Sequence, residues 1–343
     1  MHVLVTGGAG FIGSHTVVAL LERGHQVTIV DDFENSSPRV IDRIEQVTGI
    51  RPGFVEIDLL DEPGFRAAFG SIAPDAVTHF AGLKAVGESV ADPLRYYAHN
   101  LGTTFSLLNA MKAHDTKALV FSSSATVYGH EQQPPYVEDA AALTATSPYG
   151  MSKVMLERIL TDVADAEPGW HIALLRYFNP VGAHESGLIG EAPLGAPDNL
   201  APYIVQVALG RRPHVRVFGD DYPTKDGTGE RDYIHVVDLA AGHVAALEKL
   251  ADVTGARAWN LGTGRGTSVT QLLAAFEAAT GRAIPAVVAP RRSGDVPRSW
   301  ADTTRAEAEL GWSPTRGVAE MARDAWRWQQ QNPNGYAADD CVS

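Results

Sequence analysis

The chain has 343 residues, 45% of them hydrophobic and 20% charged, so it can bury a sizeable core, and it has room for two domains of ~100–200 residues each. Its formal net charge of -13 argues against a nucleic-acid partner, because phosphate backbones select basic surfaces, whereas a few local arginines still suit a small anion. The lone Cys341 rules out an internal disulfide and points to a reducing, cytoplasmic setting.

Val3-Leu4-Val5 reads as a strand that starts at once, with no signal-peptide pattern before it. No apolar run approaches ~18 residues, so no membrane span is expected. No metal site is expected either. A glycine turn, Thr6 to Gly13, leads into a helix ending near Arg23-Gly24. Gln26–Val30 is a second strand, closed by Asp31-Asp32. Further strands are predicted at Phe54–Ile57, Ala76–Phe80, Ala118–Phe121 and Ile172–Leu175, with helices over Leu94–Ala113 and from Ser147-Pro148 onward. Strands alternating with helices imply a doubly wound parallel sheet of Rossmann type, covered on both faces.

After Asn179-Pro180 the texture changes. Gly182 to Pro202 and Asp220 to Arg231 read as loops. Helices are predicted at Pro202–Leu209, Val236–Lys249 and Val269–Thr280, with strands at Val215–Phe218 and Trp259–Leu261. This is read as a smaller C-terminal α/β domain, mainly 181–331. Residues 1–180, joined by some later segments, form the first domain, and 332–343 a frayed tail. Long loops in a compact protein are usually functional, so the site is expected in the cleft between the two.

The glycine turn reads as Gly7-x-x-Gly10-x-x-Gly13 or Gly8-x-Gly10-x-x-Gly13. Glycines allow a tight turn and the approach of backbone to a pyrophosphate, which would sit on the helix N-terminus. Asp31, 18 residues beyond Gly13, can accept hydrogen bonds from both ribose hydroxyls and would repel a 2′-phosphate, selecting NAD over NADP. Asp32 reads as a solvated turn residue. Asp58 could reach the adenine or cap the next helix, and both readings stay open.

Ser122-Ser123-Ser124 ends a parallel strand, where open α/β sheets bind ligands. One of these hydroxyls suits the reacting oxygen, and at least one is expected to bond the local backbone. Tyr149 and Lys153, four apart, share a helix face. An ammonium beside a phenol favours the phenolate, a base suited to removing an alcohol proton. Arg231 and Arg292 lie in loops, where two guanidinium forks suit a diphosphate and surface ion pairs are the competing fate.

Longer runs carry a resemblance. They are Val3 to His15, His79-Phe-Ala-Gly-Leu-Lys-Ala-Val-Gly-Glu-Ser89, Phe121 to Gly129, Ser147 to Lys153, Leu175-Arg-Tyr-Phe-Asn-Pro-Val-Gly-Ala183, Asp226 to His235 and Trp300-Ala-Asp302. The chain resembles the UDP-glucose 4-epimerases of the extended short-chain dehydrogenase/reductase family. The resemblance implies an NAD held tightly and not consumed. Tyr149 would take the proton of the sugar 4-hydroxyl while C4 passes a hydride to the nicotinamide. The 4-keto sugar would then turn about its bond to the diphosphate and take the hydride back on its other face. Lys153 would hold the ribose and lower the Tyr149 pKa, and Ser124 would bond the sugar oxygen.

The implied cofactor contacts are Gly7, Gly10, Phe11, Ile12, Gly13, Asp31, Asn35, Ser36, Asp58, Leu59, Phe80, Ala81, Gly82, Lys84, Tyr149, Lys153, Tyr177 and Phe178. The implied UDP-sugar contacts are Lys84, Ser124, Tyr149, Asn179, Asn199, Leu200, Arg216, Val217, Phe218, Arg231, Tyr233, Arg292, Asp295 and Ser299. A homodimer through the two long helices is implied as well.

Three positions depart from the family's pattern. His99 stands where Asn is usual, Met151 replaces a commoner polar residue, and Ser299 is small where some members carry an aromatic. Two rival functions are weighed. A sugar dehydratase or decarboxylase would need an acid–base pair after the serines, where this chain has Ala125-Thr126. A non-catalytic NAD-sensing protein on the same fold would be expected to lose Tyr149, Lys153 or the substrate residues.

Overall fold

The computed structural model describes residues 1–139, 143–193, 195, 197, 199–292 and 294–337. The first half alternates strand and helix: β1 (His2–Thr6), α1 (Phe11–Glu22), β2 (Gln26–Asp31), α2 (Arg39–Thr48), β3 (Gly53–Glu56), α3 (Glu62–Ile72), β4 (Ala76–His79), α4 (Val86–Ala91), α5 (Pro93–Ala113), β5 (Ala118–Ser124), α6 (Pro148–Ala166) and β6 (His171–Tyr177). Then come β7 (Asn179–Val181), α7 (Leu200–Ala208), β8 (Val215–Phe218), β9 (Glu230–Arg231), β10 (Tyr233–His235), α8 (Val236–Lys249), β11 (Gly255–Leu261), β12 (Thr267–Ser268), α9 (Val269–Thr280), β13 (Ala286–Ala289), β14 (Arg298–Ser299), α10 (Thr304–Leu310) and α11 (Val318–Gln331).

Seven parallel strands form the main sheet in the order β11-β6-β5-β4-β1-β2-β3. β1 shows why it is double-layered. Val3 and Val5 join an apolar cluster with Val17, Leu20 and Leu239, while Leu4 joins another with Phe65, Leu107 and Leu156. Alternate side chains of one strand point to opposite faces, and here both faces are buried under helices. A third cluster, with Ile204, Val217, Leu272 and Trp326, gives α7, α9 and α11 a core of their own.

One expected later segment of the first domain is located, and the expected frayed tail differs. Trp259–Leu261 is the end of a seven-residue strand that pairs with β6 at the edge of the main sheet, so this part of the C-terminal third belongs to the first layer system. Residues 332–337 are not frayed. Asn332 is buried, and the Tyr336 ring lies 4.8 Å from Trp328 with its hydroxyl accepting from Gly190 N. Cys341 lies outside the described residues.

The chain reverses its winding between β1 and β4. β1 leads outward to β2 and β3, β4 to β5 and β6. A crevice opens at such a switch, above the carboxyl ends of the strands. The glycine turn ends β1 there, and Phe80-Ala81-Gly82 ends β4.

Candidate active site

Gly7 has φ +67°, and a Cβ there would stand 2.7 Å from Ala81 N. A Cβ on Gly13 would stand 2.3 Å from Gly7 O. Both glycines are therefore required for the turn to close against β4 and α1. α1 starts at Phe11 with no side-chain cap and no acidic residue in its first turn, which leaves its dipole and N–H groups for an anion. Asp31 is buried under this turn. One carboxylate oxygen accepts from Ala9 N at 2.9 Å, the other from Phe33 N and Ser36 Oγ at 3.0 and 2.7 Å. Burial raises its pKa against those three bonds. Asp32, Phe33 and Glu34 follow, so a 2′-phosphate would meet negative charge here. The uncapped turn and the Asp31 carboxylate fit NAD.

The other implied cofactor positions divide. Asn35 is exposed, and Ser36 is engaged by Asp31. Asp58 accepts from Leu60 N in a turn, and the cap of α3 is Asp61, so of the two readings of Asp58 the helix cap is not met. The Leu59 side chain sits in the core with Phe65, which leaves only its backbone for a ligand. Phe80 and Tyr177 flank the buried His243 ring at 4.8 and 5.4 Å. Phe178 stacks on Tyr136. Gly82 and Leu83 are held by Asn100, whose amide bonds Leu83 N, Leu83 O and Ser152 Oγ. His99 is half-buried beside them, its Nδ1 buried without a hydrogen-bond partner.

The three serines have three tasks. Ser122 hydrogen-bonds the Tyr177 hydroxyl, and its carbonyl accepts from Lys153 Nζ at 2.7 Å. Ser123 Oγ donates to Glu157 at 2.5 Å. Ser124 Oγ accepts from Thr126 N at 3.2 Å and hydrogen-bonds the Tyr149 phenol. Ser147 caps α6 through Gly150 N, with Pro148 at the first helical position, and this sets the helix phase. Lys153 Nζ then lies 6.0 Å from the Tyr149 ring centre and 4.8 Å from that of Phe121.

Burial raises the Tyr149 pKa, opposed by the Ser124 hydrogen bond. That direction is opposite to the one expected from the neighbouring lysine. Burial lowers the Lys153 pKa to about 8, and the Glu157 carboxylate opposes the fall. Desolvation is thus the largest influence on both groups, opposed by the Ser124 hydrogen bond at Tyr149 and by the Glu157 charge at Lys153.

Across the crevice, the predicted anion-binding groups converge. Arg292 donates to Asp295 at 2.9 and 3.3 Å, and Arg231 approaches the same carboxylate at 3.7 Å. Both arginines oppose the rise that burial gives the Tyr233 pKa, which reaches about 12. Guanidinium groups of Arg216 and Arg292 lie 5.0 and 4.8 Å from the Phe218 ring centre. Val217 is core, so its side chain is not a contact. Asn179 N donates to Asp232 O as β7 pairs with β10. Ser299 pairs with Arg231 in the β9–β14 ladder, and its hydroxyl bonds the Tyr136 phenol. Leu200 opens α7, two residues earlier than predicted.

Sequence reasoning missed several supports. Glu191 accepts from both Lys84 at 3.5 Å and Asn199 at 3.1 Å, joining two predicted residues 115 apart in sequence. Asp232, fully buried between Arg231 and Tyr233, accepts from Thr263 N, Gly264 N and Ala301 N. These partners are distant in sequence, and no local spacing announces them.

The profile of the NAD dependent epimerase/dehydratase family matches residues 3–262. The chain belongs to this family. It is similar to the UDP-glucose 4-epimerase of Bacillus subtilis (strain 168), 55% identical over 336 residues, which cover 98% of this chain and 99% of that protein. It is 53% identical to the Mus musculus UDP-glucose 4-epimerase over 342 residues, again 98% and 99% of the two chains. The crystal structure of the Bifidobacterium longum UDP-glucose 4-epimerase, in complex with NAD+ and UDP, superposes with a TM-score of 0.95 at 51% identity, covering 98% of this chain and 100% of that one. The UDP-Glc/GlcNAc 4-epimerase of Campylobacter jejuni superposes with 0.84 at 34% identity, covering 96% and 99%. The family membership agrees with the doubly wound sheet and the glycine turn.

Proposed function

We propose that the protein is a UDP-glucose 4-epimerase that interconverts UDP-glucose and UDP-galactose, an isomerase using bound NAD. The convergence of Ser124 and Lys153 on Tyr149, at the carboxyl end of β5 beside the glycine turn, carries this reading. NAD, when bound, supplies reversible hydride transfer at the sugar's C4. Tyr149 Oη takes the proton of the 4-hydroxyl and later returns it, so one group serves as base and then as acid. Ser124 holds the same oxygen. Lys153 holds the ribose, and its ammonium together with the cationic nicotinamide draws the buried phenol toward phenolate. Arg231 and Arg292 grip the diphosphate, Phe218 offers the uracil an apolar face, and few side chains fix the hexose. It can therefore turn over while UDP stays in place.

Residues 1–180, with α8 and β11, are read as the NAD-binding domain and 181–331 as mainly the UDP-sugar domain. A dehydratase or decarboxylase would need an ionisable pair after the serines, and Ala125 and Thr126 supply none. The relatives' names likewise do not favour these alternatives. Among the described residues no helix is long and apolar enough to cross a membrane. A cytoplasmic homodimer is part of the same reading, supported by Leu94, Phe105 and Met155, which α5 and α6 leave exposed. Incubation with UDP-galactose should yield UDP-glucose without added cofactor. Failure to form it with protein shown to hold NAD would reject the assignment.

A further inference from the structure

Glu157 lies on α6 one turn beyond Lys153 and two beyond Tyr149, so all three share one face. It is 3% exposed and holds a buried arginine: Arg176, on β6, donates to it at 2.6, 2.9 and 3.2 Å. The same carboxylate accepts from Ser123 Oγ. Ser123 stands between Ser122, which holds Lys153, and Ser124, which holds Tyr149. Arg176 is tied in turn to the Tyr128 hydroxyl and the Glu138 carbonyl.

We propose that the Glu157–Arg176 pair is a positioning device for the proposed reaction, clamping the serine strand end and keeping Lys153 an ammonium. The inference rests on the reading of Tyr149 and Lys153 given above.

A carboxylate that served only to neutralise Arg176 would not need to lie one turn from Lys153 on the same helix face and bond the middle serine. The arginine fork takes up most of the carboxylate, which fixes its orientation, while its negative charge remains one helical turn from the lysine. The other groups around Lys153 do not supply that charge. From β5 come the Phe121 ring and the Ser122 carbonyl, and from β4 the buried His79, which opposes the ammonium. β6 brings Arg176 and the neutral Tyr177, and α5 brings His99 beside His79. Among the described residues, Glu157 is thus the anion that favours the charged lysine in this buried site.

The test measures Lys153 directly. The chain has six lysines, so ε-13C-lysine labelling gives few signals, and Lys153→Met identifies the one sought. In Glu157→Gln, which preserves shape and the Ser123 bond, the midpoint of the Lys153 signal should fall by about one pH unit. If Glu157→Gln does not fold, the double variant Glu157→Gln/Arg176→Gln removes both charges together and should show the same direction. A Lys153 midpoint unchanged in whichever variant folds overturns the proposal. Turnover of UDP-galactose by the parent is measured alongside. Its absence would refute the epimerase reading and leave the midpoint to judge the Glu157 role.

Discussion

Arg231 and Arg292, 61 residues apart, meet on the single carboxylate of Asp295 at 3.7 and 2.9 Å. Two guanidinium groups held this close by one anion form a site for a second, stronger one. A diphosphate can displace Asp295 from part of each fork and accept bidentate bonds. Replacing Arg231 with Met should raise KM for UDP-galactose ~10–100-fold and change kcat much less, since the contact is the same in ground and transition states. Steady-state kinetics decides. An unchanged KM with a reduced kcat would assign Arg231 to the chemistry instead.

Tyr149→Phe removes one oxygen from a buried ring and keeps its packing. It should retain the fold and the bound NAD while lowering kcat by ~10²–10⁴-fold, the usual share of a positioned proton-transfer group. Turnover within a few-fold of the parent would remove Tyr149 from the role of base.

These two predictions draw on different layers of the sequence. Tyr149, Lys153 and the Ser147-Pro148 helix start are visible because helix spacing and capping are local rules. Asp31 is visible because the glycine turn fixes its place at the end of β2. Glu191, Asp232, Asn100 and Glu157 are not visible, since each acts through partners brought near by tertiary folding. The run Trp259–Leu261 is a strand by pattern, but only the β6 ladder tells which sheet takes it. The rise that burial gives the Tyr149 pKa is not legible in the sequence for a related reason. Spacing reveals the neighbouring lysine but not the loss of water around the phenol.

Ser299 bonds the Tyr136 phenol, which belongs to an aromatic wall with Tyr128 and Phe178. A serine leaves space where a tyrosine ring would collide with an N-acetyl group on a turning sugar. UDP-N-acetylglucosamine and UDP-N-acetylgalactosamine should therefore be interconverted by the parent, and Ser299→Tyr should cut that activity ~10-fold or more while sparing UDP-galactose. No N-acetyl activity in the parent would defeat the idea, and activity unaffected by the substitution would place the gate elsewhere.

Burial holds His15 and His79 neutral, with pKa values pushed down to about 3, and His243 to about 4. In the unfolded chain these imidazoles take up protons below about pH 6.5, while the folded ones do not until their own lower values are reached. The unfolded state therefore binds more protons across that window, and stability falls as pH falls. Each histidine contributes up to about 1.4 kcal/mol per pH unit. Thermal melts should show Tm dropping steadily below about pH 6.5. A flat Tm down to about pH 5 would mean that these imidazoles are solvated or paired.

The central claim is that hydrogen leaves C4 of the sugar and returns to the same carbon inside a closed site, with Tyr149 handling only the hydroxyl proton. UDP-galactose deuterated at C4 tests this most directly. After incubation with the purified protein, mass spectrometry and NMR of the UDP-glucose formed should find the deuterium still at C4, with none taken up from water when the reaction is run in reverse labelling. Loss of the label to solvent, or a product inverted at C4 that carries solvent hydrogen there, would contradict the account.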